Sequence, residues 1–160
     1  MDKINLGIIG FGTVGEGVVR ILVNKPQFLE RKIGARLVLR AVCDIDLRRR
    51  REVKLKRRIV TSDIDKVLKD PEVQLVVELI GGIHPAKEFI LEAFRRGKHV
   101  VTANKALLAE HGEEIFHAAK KASVDLYFEA SVGGGIPIIK ALRESLCANH
   151  IDTLLGILNG

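Results

Sequence analysis

Three glycines recur at short intervals near the amino terminus. Residues 10–15 read GFGTVG, a GxGxxG motif that follows the apolar run Lys3–Ile9 and precedes apolar residues at helical spacing. In a strand–turn–helix unit, Gly10 permits a tight turn, Gly12 leaves room for a phosphate beside the backbone, and Gly15 lets helix and strand pack closely. The free N–H groups at the helix start attract the same anion. The motif predicts a site for the pyrophosphate of a dinucleotide, composed of Gly10, Phe11, Gly12, Thr13, Val14 and Gly15.

An acidic residue and a basic run follow the second strand-like run, Arg36–Cys43. Asp44 stands 29 residues after Gly15, beyond the typical spacing of about 20, and the loop before this strand is correspondingly long. A carboxylate here accepts hydrogen bonds from the adenosine ribose and favours NAD. The basic run, in which we single out Arg48 and Arg49, would instead bind a 2′-phosphate and favour NADP, unless it is a solvated loop. The residues therefore predict NADP or NAD as cofactor, with a slight preference for NADP.

Two further segments follow apolar runs and would reach the carboxyl-terminal edge of a parallel sheet, where ligands bind. Gly81 and Gly82 would let the backbone approach a nicotinamide ribose, or they form a simple turn before a helix. Lys105 follows the next run, and its ammonium would hold a substrate oxygen or, if desolvated, transfer a proton. A lysine at a helix start opposes the helix dipole, which favours a functional role over an incidental one. We assign Gly81, Gly82 and Lys105 to cofactor binding, and Lys105 also to catalysis.

A carboxylate precedes a cluster of three glycines in the last quarter of the chain. Glu129 follows a strand-like run, and residues 133–135 are all glycine. Such a loop can turn several backbone carbonyls toward the carboxylate, and oxygen ligands of this kind suit a hard cation. From these residues alone, a cation site and a flexible strand–helix connector both stay open.

Alternating strands and helices must position these residues. Strand-like runs alternate with helical patterns every 20–30 residues, which indicates parallel pairing through crossover helices. We predict an α/β fold, a Rossmann-type doubly wound and mostly parallel sheet with helices on both faces. The predicted strands are Lys3–Ile9, Arg36–Cys43, 74–80, 98–101, 124–129 and 151–158. The predicted helices are 13–23, 62–68, 85–96, 104–121 with a break near Gly112, and 137–147.

Charge and hydropathy exclude several classes of function. The net charge of +6 over 160 residues is local, because eight Lys and Arg residues lie within 48–58. This stretch lacks the interleaved aromatic residues and the motifs of nucleic-acid binders, so we expect no nucleic-acid partner. No apolar run approaches the roughly 18 residues of a membrane span, and no signal peptide opens the chain. We therefore expect no membrane partner and a cytoplasmic location.

The motifs together resemble homoserine dehydrogenase. The matching strings are residues 10–15, VVELIGG (76–82), GKHVVTANKALLA (97–109), EASVGGGIPII (129–139) and ILNG (157–160). They follow one another in the order and spacing of that family and cover nearly the whole chain. The TANKALLA and GGGIP strings are far more specific than the glycine motif. The resemblance implies that a nicotinamide cofactor reduces aspartate semialdehyde to homoserine, in threonine, methionine and isoleucine synthesis.

The resemblance also implies roles for individual residues. The backbone of Phe11, Thr13 and Val14 would bind the pyrophosphate, and Lys105 would contact cofactor and substrate near the centre of hydride transfer. A family site for a monovalent cation, usually sodium, matches four positions of this sequence. These are the Glu129 side chain and the carbonyls of Val132, Gly134 and Ile136.

Length is where the chain departs from the family pattern. We expect residues 1–130 to form the dinucleotide-binding domain and residues 131–160 to form a connecting segment and the start of a truncated substrate and dimerisation domain. Family members continue into that domain, which carries a second lysine and the acidic residues for the homoserine amino group. We therefore expect a fragment or a natural short form that binds cofactor but is inactive alone, with a homodimeric full-length parent.

Two rival interpretations remain. A glucose–fructose oxidoreductase-type dehydrogenase also has a GKHV-like strand followed by a lysine, but it typically shows Glu-Lys-Pro there, whereas this chain has Asn104-Lys105-Ala106. A non-catalytic module that senses dinucleotides would equally account for the glycine motif without a substrate domain.

Overall fold

A parallel six-stranded sheet forms the centre of the molecule. The computed structural model describes residues 2–156, so the ILNG motif and the end of the last predicted strand lie outside the described residues. The strand order is β3-β2-β1-β4-β5-β6, with every neighbouring pair parallel. The strands are β1 (Lys3–Ile9), β2 (Arg36–Cys43), β3 (Val60–Thr61), β4 (Leu75–Glu78), β5 (His99–Thr102) and β6 (Leu126–Tyr127).

Helices cover both faces of this sheet, as predicted. They are α1 (Thr13–Asn24), α2 (Pro26–Ile33), α3 (Asp65–Leu68), α4 (Ala86–Arg95) and α5 (Lys105–Ala122). One core joins buried residues of α3, α4 and α5 to the sheet, whereas a second core packs α1 against the opposite face. Strands covered on both faces are near-continuously apolar, which is why β1 and β4 are recognisable in the sequence. The Rossmann-type doubly wound fold is thereby confirmed.

The order of the strands creates a crevice at the carboxyl edge. On one side of β1 the next strands in the sheet are β2 and β3, and on its other side they are β4, β5 and β6. The strand order therefore reverses between β1 and β4. At such a reversal the following loops leave toward opposite faces and open a cleft in which ligands bind. The glycine motif follows β1, and the Gly81–Gly82 pair follows β4, so both predicted segments border this cleft.

Local signals determine where the main helices begin and end. The Asn104 side chain accepts a hydrogen bond from the Leu107 N–H and caps α5, and Gly97, at φ +68°, follows α4. His111 has non-helical backbone angles inside α5, which confirms the predicted break near Gly112.

Several predicted elements were wrong in extent or kind. Residues 25–34, expected to be a long loop, contain α2, because Pro26 occupies the first turn of a helix rather than ending one. The two-residue β3 is too short to show a period and was missed. The strand predicted over 124–129 shrinks to β6, and the helix predicted over 137–147 shrinks to residues 139–145, of which Ala141–Ser145 are π-helical. Residues 151–156 form no strand, because no strand of the described residues pairs with them.

Candidate functional site

The glycine motif forms the turn between β1 and α1. Gly10 has φ +100°, and a side chain there would lie 2.8 Å from the Leu79 carbonyl carbon and oxygen. A Cβ on Gly15 would lie 2.1 Å from the Gly10 carbonyl oxygen, so only glycine lets α1 approach the end of β1. These are the two roles that the motif predicts for its first and third glycines.

Gly12 differs from Gly10 and Gly15 because the space beside its Cα is almost empty. A Cβ there would meet only the Arg49 guanidinium, at 3.8 Å. Gly12 also precedes α1 as its N-cap, and among residues 2–156 no side chain caps that helix. Thr13 and Val14 in the first turn are exposed. The turn therefore offers uncapped N–H groups and an open approach, as an anion site at a helix start requires.

A cavity of 490 Å³ adjoins this turn in the cleft between β1, β2 and β4. Gly10 and Gly12 lie on one side, Asp44 and Ile45 on a second, and Gly81 on a third. The remaining lining is largely apolar and includes Ile64, Ile80, Pro85 and Phe89. A concave, mostly apolar site with a few polar groups is typical of small-molecule binding.

Asp44 lies at the end of β2 but is already engaged by its own protein. Its Oδ2 accepts a hydrogen bond from the Phe11 N–H at 2.5 Å, and its Oδ1 accepts one from the Asp46 N–H at 2.7 Å. The Arg51 guanidinium lies 3.5 Å from Oδ1. The structure thus brings Asp44 to the glycine turn and adds a cationic partner, Arg51, that the sequence analysis did not single out.

The basic run divides into exposed and buried arginines. Arg48 and Arg49 are exposed, and their backbone N–H groups donate to Asp46 Oδ1 at 3.1 and 3.0 Å. The Arg49 guanidinium donates a hydrogen bond to Thr13 Oγ1 at 3.3 Å, at the end of the glycine turn. Arg51 instead packs its guanidinium over the Phe11 ring, 4.4 Å from the ring centroid. Residues 48–51, the basic lobe, therefore lie beside the glycine turn, with Arg51 packed against it and the other three arginines exposed.

A buried polar network connects the loops after β4 and β5. The Glu78 carboxylate is fully buried, and it accepts hydrogen bonds from the Ile80 N–H at 2.8 Å and from Thr102 Oγ1 at 2.6 Å. Thr102 Oγ1 in turn accepts from the Asn104 N–H at 3.0 Å, and the Asn104 amide donates to the Gly82 carbonyl at 2.6 Å. Because buried polar groups are costly unless paired, this network joins the two loops into one unit.

Lys105 begins α5 directly after this network. Its side chain is exposed, so the desolvation considered in the sequence analysis is absent from the chain as described. The Asn104–Gly82 hydrogen bond places the backbone of Lys105 beside the Gly81–Gly82 turn. The network residues Glu78, Thr102 and Asn104 were missed, although a lone carboxylate in an apolar strand was the signal for the first of them.

Glu129 stands at the start of the glycine-rich loop and binds backbone. Its Oε1 accepts from the Ile139 N–H at 3.0 Å, and its Oε2 accepts from the Lys140 N–H at 2.8 Å. Desolvation raises the pKa of this carboxyl, but these backbone donors outweigh it and leave the pKa below its ordinary value. Ser131 Oγ donates to the Thr102 carbonyl, so the loop lies beside the end of β5. Within residues 2–156, no three His, Cys, Asp or Glu side chains cluster as metal ligands.

A larger hollow, of 770 Å³, lies near the starts of β1, β4 and β5, at the opposite edge of the sheet from the glycine turn. It is lined in part by the buried Lys98, whose ammonium donates to the carbonyls of Asp70 and Val73 at 2.6 and 2.7 Å. These bonds tie a loop to β5 and leave this lysine in a structural role. In the described part of the chain, no helix is both long and apolar enough to cross a membrane.

A family model and several sequence relatives match this chain. Residues 10–129 match the family model described as homoserine dehydrogenase, NAD-binding domain. The homoserine dehydrogenase of Bacillus subtilis is 42% identical over 160 residues, all of this chain and 37% of that protein. The chain thus spans little more than a third of the length of this relative.

Solved structures agree with the sequence relatives. A homoserine dehydrogenase from Thiobacillus denitrificans superposes with a TM-score of 0.81 at 46% identity, covering 93% of this chain and 34% of that one. A hyperthermophilic archaeal homoserine dehydrogenase in complex with NADPH superposes with a TM-score of 0.73 at 28% identity, covering 91% of this chain and 50% of that one. The chain therefore belongs to the homoserine dehydrogenase family, of which it carries the NAD-binding domain.

Proposed function

We propose that the chain binds NADP or NAD in the cleft between β1 and β4, and that it does so for the interconversion of L-aspartate 4-semialdehyde and L-homoserine. The observation that carries this proposal is the open glycine turn at the uncapped start of α1, at the point where the strand order reverses. The pyrophosphate lies on this turn, and the adenosine extends into the 490 Å³ cavity beside Asp44.

The nicotinamide half lies toward the loops after β4 and β5. Gly81 and Gly82, both with positive φ, present bare backbone to the nicotinamide ribose. Lys105 lies at the same edge and holds the oxygen of the substrate that changes between carbonyl and hydroxyl. Its ammonium would stabilise the negative charge that develops on this oxygen as hydride arrives. A nicotinamide bound there would exchange a hydride with the substrate carbon, and Lys105 would hold the substrate oxygen at which the compensating proton is exchanged.

A monovalent cation, sodium, would bind the glycine-rich loop through the Glu129 carboxylate and the carbonyls of Val132, Gly134 and Ile136. The donors are oxygens, which suit a hard cation, although the carboxylate also binds two backbone N–H groups. A cation there would brace the loop against the end of β5, where Ser131 already binds the Thr102 carbonyl.

We also infer the organisation of the longer protein. Residues 1–130 form the dinucleotide-binding domain, and residues 131–160 lead into a substrate and dimerisation domain of a homodimeric enzyme in the cytoplasm. The chain spans about 37% of its Bacillus relative, so we expect it to bind cofactor without turning over substrate by itself. Of the two cofactors, we favour NADP, which the NADPH complex of the archaeal relative supports.

Titration of the purified chain with NADPH and, separately, NADH tests this function. Nicotinamide fluorescence should show saturable binding of at least one cofactor, at low and at moderate salt. Aspartate semialdehyde added to the NADPH complex should cause no oxidation of the cofactor by the chain alone. If neither cofactor binds to chain that is folded by circular dichroism, the proposed function is wrong.

A further inference from the structure

Arg51 differs from the other arginines of its run. Arg48, Arg49 and Arg50 are exposed, whereas the Arg51 side chain is only 7% exposed and its partner Asp44 only 14%. An arginine side chain is seldom covered unless its N–H groups are paired with acceptors. That Arg51 alone is covered among the four arginines 48–51 therefore indicates a specific role for it.

The Arg51 guanidinium binds three segments at once. Its Nε donates to the Phe11 carbonyl at 2.8 Å, and its Nη2 donates to the Asp46 carbonyl at 2.8 Å. Nη1 donates to the Arg49 carbonyl at 3.2 Å, and Nη2 lies 3.5 Å from Asp44 Oδ1. One side chain therefore connects the glycine turn, the acidic residue after β2 and the backbone of the basic lobe.

The pairing of Arg51 with Asp44 changes which adenosine ribose, free or 2′-phosphorylated, the Asp44 carboxylate favours. An unpaired carboxylate beside the adenosine ribose repels a 2′-phosphate and favours a free diol. With a guanidinium against it in a poorly solvated place, the carboxylate presents little net charge to that phosphate. The same guanidinium holds the backbone from which Arg48 and Arg49 project.

We propose that Arg51 is a specificity-determining residue that acts through Asp44. It offsets the carboxylate charge and orders the basic lobe, so that a site with an acidic residue after β2 accepts a 2′-phosphorylated dinucleotide. This inference rests on the proposed function, because it concerns the same cofactor site. It assigns Arg51 a positioning role and leaves direct contact with the phosphate to Arg48 and Arg49.

The test measures NADPH and NADH dissociation constants for variants of the chain. Arg51→Met removes the guanidinium, and Arg50→Met, its neighbour, removes the same charge from an exposed site. We expect the NADPH-over-NADH preference to fall by about tenfold or more in Arg51→Met and by no more than about twofold in Arg50→Met. Arg51→Lys, which keeps the charge but not the planar fork, should give an intermediate preference and guards against misfolding of the methionine variant.

A second substitution separates charge compensation from direct phosphate binding. Adding Asp44→Asn to Arg51→Met removes the uncompensated carboxylate and should restore most of the lost preference for NADPH. An unchanged preference in Arg51→Met and Arg51→Lys would overturn the inference, and so would a loss that Asp44→Asn does not recover. Failure of the unsubstituted chain to bind either cofactor is a different result, since it would overturn the proposed function itself.

Discussion

At the scale of the residue, the glycines of the motif divide into those required for folding and one free for function. Gly15 cannot carry a Cβ without meeting the Gly10 carbonyl oxygen at 2.1 Å, whereas a Cβ on Gly12 meets only a guanidinium at 3.8 Å. Gly12 also has φ −78°, which any residue adopts. Substitutions at the two positions should therefore have different consequences.

We predict that Gly12→Val abolishes dinucleotide binding without unfolding the chain, because its isopropyl group occupies the place of the pyrophosphate. Circular dichroism and the cofactor titration measure the two effects separately. Gly17→Ala is the matched control: a Cβ there has no neighbour within 4 Å, and the change should stabilise α1 by up to about 1 kcal/mol with unchanged affinity. Undiminished binding in Gly12→Val would contradict the placement of the phosphate.

The two cysteines differ in burial: Cys43 is buried and Cys147 is exposed. Burial raises the pKa of the Cys43 thiol from 9.0 to about 11, with Asp44 and Asp63 adding to the effect. A pKa raised by folding stabilises the protein below the unfolded value and loses that contribution as the pH rises through the folded value.

We therefore expect the free energy of unfolding of the wild type, relative to Cys43→Ala, to fall by on the order of 2 kcal/mol between about pH 8 and pH 11. Urea denaturation at several pH values measures it. Cys147→Ala, at an exposed thiol, is the control and should show no such difference. A flat profile for the Cys43 pair would mean that this thiol is not desolvated.

At the scale of the element, the Glu78 network decides how the ends of β4 and β5 hold the cofactor loops. In Glu78→Gln, the carboxylate oxygen that accepts from the Thr102 hydroxyl would be replaced by an NH₂ group, which can only donate. The Thr102 hydroxyl proton would then have no acceptor. The rearrangement would release the Gly81–Gly82 turn and the start of α5 together.

We predict that Glu78→Gln lowers the free energy of unfolding by about 1–3 kcal/mol. It should also weaken NADPH binding, while 2′-phospho-ADP, which lacks the nicotinamide and its ribose, binds as in the wild type. Glu113→Gln, at an exposed carboxylate of α5, is the control for both measurements. Equal weakening of NADPH and 2′-phospho-ADP would mean that the network supports the whole site rather than its nicotinamide half.

How well each element could be predicted depended on whether its signal is local. Strand β1, the turn and α1 form one continuous pattern of apolar residues and glycines, and the structure reproduces it closely. Helix α2 was mistaken for a loop because it is short, has no buried residue and begins at Pro26, a residue type that also ends helices. Strand β3 exists only because β2 lies alongside it, and two residues cannot show a period.

At the scale of the whole molecule, the charge distribution should govern affinity. The positive charge behind the net +6 is concentrated in residues 48–58, and Arg49 of this segment contacts Thr13 at the glycine turn. We predict that NADPH, with one phosphate more than NADH, loses affinity more steeply as salt rises from low to about 0.15 M, where the Debye length is about 8 Å. Parallel titrations of both cofactors measure this. Identical salt dependence would show that the basic lobe does not face the 2′-phosphate.

The sequence by itself determined the glycine turn between β1 and α1, the alternation of strands and helices, and the family. These depend on neighbours within a few residues, whose spacing a chain displays directly. Only the tertiary structure decided that Arg51 rather than Arg48 or Arg49 pairs with Asp44, and that Glu78 binds Thr102. These contacts depend on which loops meet at one edge of the sheet, because chemically similar arginines differ only in the burial that the folded chain imposes on them.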